Sequence, residues 1–120
     1  MTKEKTIING VEYVPKSENQ EAEKLDGMVY SIIRTYSAGC FAGYVKERNG
    51  KEGIILKARR LYYWSGASTL SQLAMEGVKN PGDCKFPCEV NELQLTEIIE
   101  VIPATEEAKK SINEVSIWKQ

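Results

Sequence analysis

Between residues 29 and 59 the chain carries three β-prone runs separated by only two short turns, and this spacing does most to limit the folds open to it. Residues 29–36 are rich in β-branched and aromatic side chains and stop at Ser37-Ala38-Gly39. Residues 40–47 follow at once, and Arg48-Asn49-Gly50-Lys51 precedes a third run at 53–59. Asn-Gly between apolar runs is a strong hairpin signal, because both central turn positions tolerate positive φ. The expectation is a three-stranded antiparallel meander.

A second Asn-Gly, Asn9-Gly10, lies between Thr6-Ile7-Ile8 and Val11-Glu12-Tyr13 and predicts a small N-terminal hairpin. Residues 16–27 are polar and acidic and read as a linker or a short exposed helix, so that the hairpin stands as an appendage suited to docking on a second protomer. The chain then divides into an N-terminal hairpin and polar linker, 1–27, and an α+β core domain, 28–120.

Beyond the meander, Leu61-Tyr62-Tyr63-Trp64 extends or bends the third strand. Ser65-Gly66-Ala67-Ser68 offers helix caps, and Leu70, Leu73, Ala74 and Val78 recur at the spacing of a helix with one buried stripe. Asn80-Pro81-Gly82-Asp83 ends that helix. Residues 88–102 read as one long or two short strands closed by Pro103, and Thr105-Glu106-Glu107-Ala108 opens a short helix that ends near Asn113. The predicted fold is therefore α+β, an antiparallel sheet of meander core plus C-terminal strands, with two short helices and an N-terminal hairpin.

The chain has 120 residues, 42% of them hydrophobic and 28% charged, which fits one globular core. No apolar run approaches the roughly 20 residues that span a bilayer, and residues 1–5 lack the apolar stretch of a signal peptide. A cytoplasmic protein without a membrane partner is expected. Cys40, Cys84 and Cys88 are too few for a disulfide framework.

No histidine is present, which removes the commonest acid–base group and the commonest metal ligand. Cys40 beside the Gly39 turn is the one plausible nucleophile, and its plain reading is a small buried hydrophobe. Cys84 and Cys88 would need carboxylates to complete a zinc site. A binding protein is expected, with no catalytic residues, metal or cofactor.

The net charge of −1 conceals an uneven distribution. Segment 34–64 holds seven basic residues, Arg34, Lys46, Arg48, Lys51, Lys57, Arg59 and Arg60, against Glu47 and Glu52, whereas 65–103 is mainly acidic. Arginine grips phosphate with a planar fork, aromatic rings stack on bases, and small turn residues let backbone N–H groups approach an anion. Arg34, Tyr36, Ser37, Ala38, Gly39, Arg59, Arg60 and Trp64 therefore suit a nucleotide. The plainer alternative is that Tyr62, Tyr63 and Trp64 pack the core while the arginines form a solvated edge. Duplex DNA would require neutralising on the order of 6 to 10 phosphates, which the acidic half opposes, so a small nucleotide fits better than extended DNA.

The strings Ile33-Arg34-Thr35-Tyr36-Ser37-Ala38-Gly39, Ala58-Arg59-Arg60-Leu61-Tyr62-Tyr63-Trp64-Ser65-Gly66-Ala67 and Cys84-Lys85-Phe86-Pro87 resemble a family of small, largely uncharacterised bacteriophage proteins. The resemblance spans residues 29–118. It implies a protein of the infected bacterial cell, similar to anti-defence sponges that sequester the cyclic nucleotide or cyclic ADP-ribose signals of Thoeris or CBASS immunity. Such sponges are small α+β homo-oligomers with pockets between protomers. Arg34, Arg59 and Arg60 would then bind phosphates, Tyr36, Trp64 and Phe86 would stack on a base, and Lys85 would complete the ligand-binding set. The same residue types also anchor protein interfaces, which leaves a host-protein partner as the alternative.

Overall fold

The computed structural model describes residues 6–8, 11–13 and 21–119. Strand β1 (Thr6–Ile8) pairs antiparallel with β2 (Val11–Tyr13), as the intervening Asn-Gly predicts. The main sheet has five antiparallel strands: β3 (Val29–Thr35), β4 (Cys40–Asn49), β5 (Glu52–Arg60), β6 (Glu89–Leu95) and β7 (Ile98–Pro103), in the order β6-β5-β4-β3-β7. Residues 88–102 thus form two strands.

Those two strands sit on opposite edges of the sheet although only Thr96 and Glu97 separate them. Flat, the edges would be four strand spacings apart, roughly 19 Å. The step from Leu95 to Ile98 reaches only about 11 Å. The sheet must therefore curl into a half-barrel. Register shifts on β4 after Ala42 and after Val45, together with Lys57 at φ 53°, supply the local bends. The tip of the β4–β5 hairpin folds onto the start of β7, where Ile98 N donates to Lys51 O at 2.9 Å.

Curling creates two apolar layers. Ile33, Phe41, Ile55, Ala58, Leu95 and Ile98 cluster on one face of the sheet. On the other face Tyr30, Ile32, Ala42 and Tyr44 pack against Leu73 and Ala74 of α1 (Leu70–Glu76) and Ala108 and Ile112 of α2 (Glu106–Asn113). Both helices begin with a threonine cap: Thr69 Oγ1 accepts from Gln72 N and Thr105 Oγ1 from Ala108 N, each at 3.1 Å. Among the described residues no helix is long and apolar enough to cross a membrane.

The polar segment behaves differently from the linker expected at 16–27. Residues 16–20 lie outside the described residues, but Ala22 is buried in the core and its N–H donates to Ala104 O at 2.9 Å. With Glu21 bridged to Thr105, Glu23 N donating to the Glu106 carboxylate at 2.9 Å and Leu25 packed against the core, these contacts dock an otherwise polar segment beside the β7–α2 junction.

Candidate functional site

The residues singled out in the sequence separate into three settings. Arg59 belongs to the core. It is 6% exposed, and its guanidinium donates to five backbone carbonyls: Nε to Pro87 O at 2.8 Å, Nη1 to Ile112 O at 2.9 Å, and Nη2 to Phe86, Val115 and Ser116 at 3.0, 2.8 and 3.2 Å. Burial lowers its pKa from the ordinary arginine value, with no carboxylate bonded to it among the described residues. Buried, and with all three of its nitrogens bonded to carbonyls, this fork is closed to a phosphate. Phe86 is fully buried beneath the same guanidinium, 5.4 Å from it, and its ring is closed to a base. These positions correct the expectation that Arg59 and Phe86 face a ligand. Trp64 is half-buried against the helical layer.

The second setting is the β3–β4 turn. Gly39 takes φ 96°, which glycine adopts without strain, and its carbonyl accepts from Thr35 N and Oγ1. Ala38 N donates to Thr35 Oγ1 at 2.9 Å, Tyr36 N to Glu97 O at 2.9 Å, and Ser37 Oγ to the Glu97 carboxylate at 2.6 Å. Arg60 Nη1 reaches Ala38 O at 2.7 Å while its guanidinium lies 4.5 Å from the Phe41 ring centre. Arg34 faces Glu100 at 3.6 Å. The turn does bring together Arg34, Tyr36, Ser37, Ala38, Gly39 and Arg60. However, several of its donors are already used internally, and two carboxylates flank it. Arg60 also lines a cleft of about 210 Å³ with Phe41, Ala58, Val90 and Leu93, which is below the roughly 300 Å³ at which small-molecule pockets begin.

The third setting is an exposed platform. Tyr62 and Trp118 stack with ring centres 5.4 Å apart and planes 9° from parallel. The Lys85 ammonium lies 5.6 Å from the Trp118 ring and 6.0 Å from Tyr63, within cation–π range. Backbone pairing builds it: Tyr63 bridges Lys85, Phe86 bridges Ile117, and Trp118 N donates to Phe86 O at 3.0 Å. Tyr62, Tyr63 and Ile117 remain 63%, 52% and 53% exposed. Trp118 also lines an open cleft of about 480 Å³ with Pro81, Gly82, Cys84, Glu114 and Ser116. Sequence reasoning missed Trp118. Its signal was an aromatic next to Ile117 at the chain end, and only folding pairs it with Tyr62.

Fold and surface together define a small α+β protein built on a curled antiparallel sheet, with an aromatic–lysine platform at one corner. The chain belongs to the family described as Domain of unknown function (DUF6948), which matches residues 28–112. Tyr62, Tyr63 and Lys85 fall within the matched span and Trp118 beyond it. No curated protein and no solved structure matches the chain.

Proposed function

We propose that this protein is a non-catalytic binder that sequesters a small nucleotide signal, a cyclic nucleotide or cyclic ADP-ribose, in the cytoplasm of a phage-infected bacterium. The observation that carries the reading is the exposed platform, in which Lys85 sits against the Tyr63 and Trp118 rings beside the Tyr62–Trp118 stack. Ring faces suit a base, and the ammonium suits a phosphate. The adjoining cleft of about 480 Å³ lies in the size range of small-ligand sites. Because the platform is open on one chain, and such sites bury roughly 70–90% of a ligand, a second copy closes over it. The lack of any histidine and the resemblance to phage proteins fit sequestration without turnover.

A second reading, inhibition of a host protein through the same surface, is favoured by the internal bonds that already occupy the β3–β4 turn and Arg59. Tyrosine and tryptophan are also common interface anchors. Native mass spectrometry with a panel of cyclic nucleotides and cyclic ADP-ribose isomers distinguishes the two. Intact ligand on an oligomer, lost in Lys85→Glu, supports sequestration. An unliganded spectrum across the panel, with a stoichiometric host protein retained by wild type and released by Tyr62→Ala, supports the second reading.

A further inference from the structure

The chain beyond α2 has few anchors of its own. Val115 is buried, a single bridge joins Ile117 to Phe86, and Trp118 N bonds Phe86 O. Arg59 adds further hydrogen bonds to this segment. Three of its five carbonyl partners, Ile112, Val115 and Ser116, belong to the end of α2 and the segment that follows, and the other two, Phe86 and Pro87, belong to the stretch that bears Lys85. One planar cation is thus the shared hydrogen-bond partner of two of the three segments that form the platform, those that carry Lys85 and Trp118. Its charge is also favourably placed against the carbonyl end of α2.

We infer that Arg59 is the positioning residue of the platform: by gripping both segments it sets Trp118 against Tyr62 and Lys85. The inference deepens the binding reading above and rests on it for its functional consequence. A lysine at this position keeps the charge but replaces a flat five-donor fork with a single ammonium, which cannot reach carbonyls spread around a guanidinium plane. Shape, rather than charge, does the positioning.

The experiment uses the full chain carrying Trp64→Phe, which leaves Trp118 as the remaining tryptophan. In Arg59→Lys, a cooperative thermal transition should persist while acrylamide quenching of Trp118 rises several-fold and its emission shifts to the red. Affinity for cyclic ADP-ribose, or for whichever panel nucleotide binds the Trp64→Phe protein, should fall by about tenfold or more, as expected when a displaced Trp118 ring no longer stacks on the base. Unchanged Trp118 quenching and emission in a folded Arg59→Lys protein would overturn the inference. Trp118→Ala separates this result from the binding reading: if it leaves nucleotide binding intact, the platform reading fails whatever Arg59 does. If Arg59→Lys does not fold, NMR of the unsubstituted protein decides. Slowly exchanging, rotationally restricted Nε–H and Nη–H signals from Arg59 support the inference, and fast-exchanging, averaged signals refute it.

Discussion

Replacing Thr105 with valine keeps the shape of the side chain and removes one hydroxyl that serves both helices. Thr105 is buried, its Oγ1 caps α2 by accepting from Ala108 N at 3.1 Å, and the same hydroxyl donates to Met75 O near the end of α1 at 2.7 Å. Loss of the cap costs about 1 kcal/mol. The Met75 carbonyl, part-buried at this bond, loses its donor, which costs about 2 kcal/mol more. No cavity offsets or adds to this, since valine fills the same volume, so Thr105→Val should lose about 3 kcal/mol. Such a loss lowers the melting temperature on the order of 15 °C in a domain of this size. Urea unfolding followed by circular dichroism measures it, with an unchanged m-value confirming that the native state is the one affected. Thr105→Ser, which retains both bonds and loses only a methyl group, should cost about 1 kcal/mol. A loss below about 1 kcal/mol for valine, or equal losses for serine and valine, would refute the assignment of the hydroxyl as the helix–helix link.

Other predictions test the curled sheet and its buried groups. A Cβ on Gly43 would lie 2.7 Å from Ile55 Cγ2 and 2.9 Å from Leu56 O, so Gly43→Ala should destabilise by about 2 kcal/mol in urea unfolding, whereas Gly82→Ala, with open space around it, should be near neutral. Burial pushes the Tyr30 phenol well above its ordinary value, and a hydrogen bond from the Lys109 ammonium to the Tyr44 hydroxyl oxygen raises Lys109. Both pKa values are higher folded than unfolded, so their stabilisation is present below about pH 10 and is lost as pH rises further. Chemical denaturation between neutral pH and pH 11 should show this loss, and Tyr30→Phe should make it shallower. Among the thiols, Cys88 is exposed, Cys84 is buried, and Cys40 is half-buried with its pKa raised chiefly by burial. Alkylation at pH 7.5 followed by peptide mass mapping should therefore label Cys88 first, and faster labelling of Cys84 in the folded protein would contradict the packing.

Local pattern made the strands and helices legible. Runs of β-branched and aromatic residues stopped by Ser37-Ala38-Gly39 and by Asn49-Gly50 placed β3, β4 and β5 close to their observed bounds, three-and-four spacing placed α1, and the Thr105 cap placed α2, whereas the cap of α1 is Thr69 and not a residue of the 65–68 stretch. These signals act over a few residues, so they survive without knowledge of the whole chain. The separation of β6 from β7 was not legible in the same way. Thr96-Glu97 looks like a break within one extended run, and it becomes a crossing between opposite sheet edges only because the half-barrel has already curled.

The candidate site shows the same division. Sequence determined that the chain concentrates arginine and aromatic side chains between residues 34 and 64 and contains no histidine for catalysis. It could not decide which of two adjacent arginines is available, because neighbouring strand residues face opposite sides and only packing says which side is covered. Tertiary structure buried Arg59 among five carbonyls, left Arg60 exposed over Phe41, enclosed Phe86, and brought Trp118 from the end of the chain onto Tyr62. Residue chemistry is written locally, whereas exposure and partnership depend on contacts between distant segments that exist only once the sheet has closed and α2 has docked.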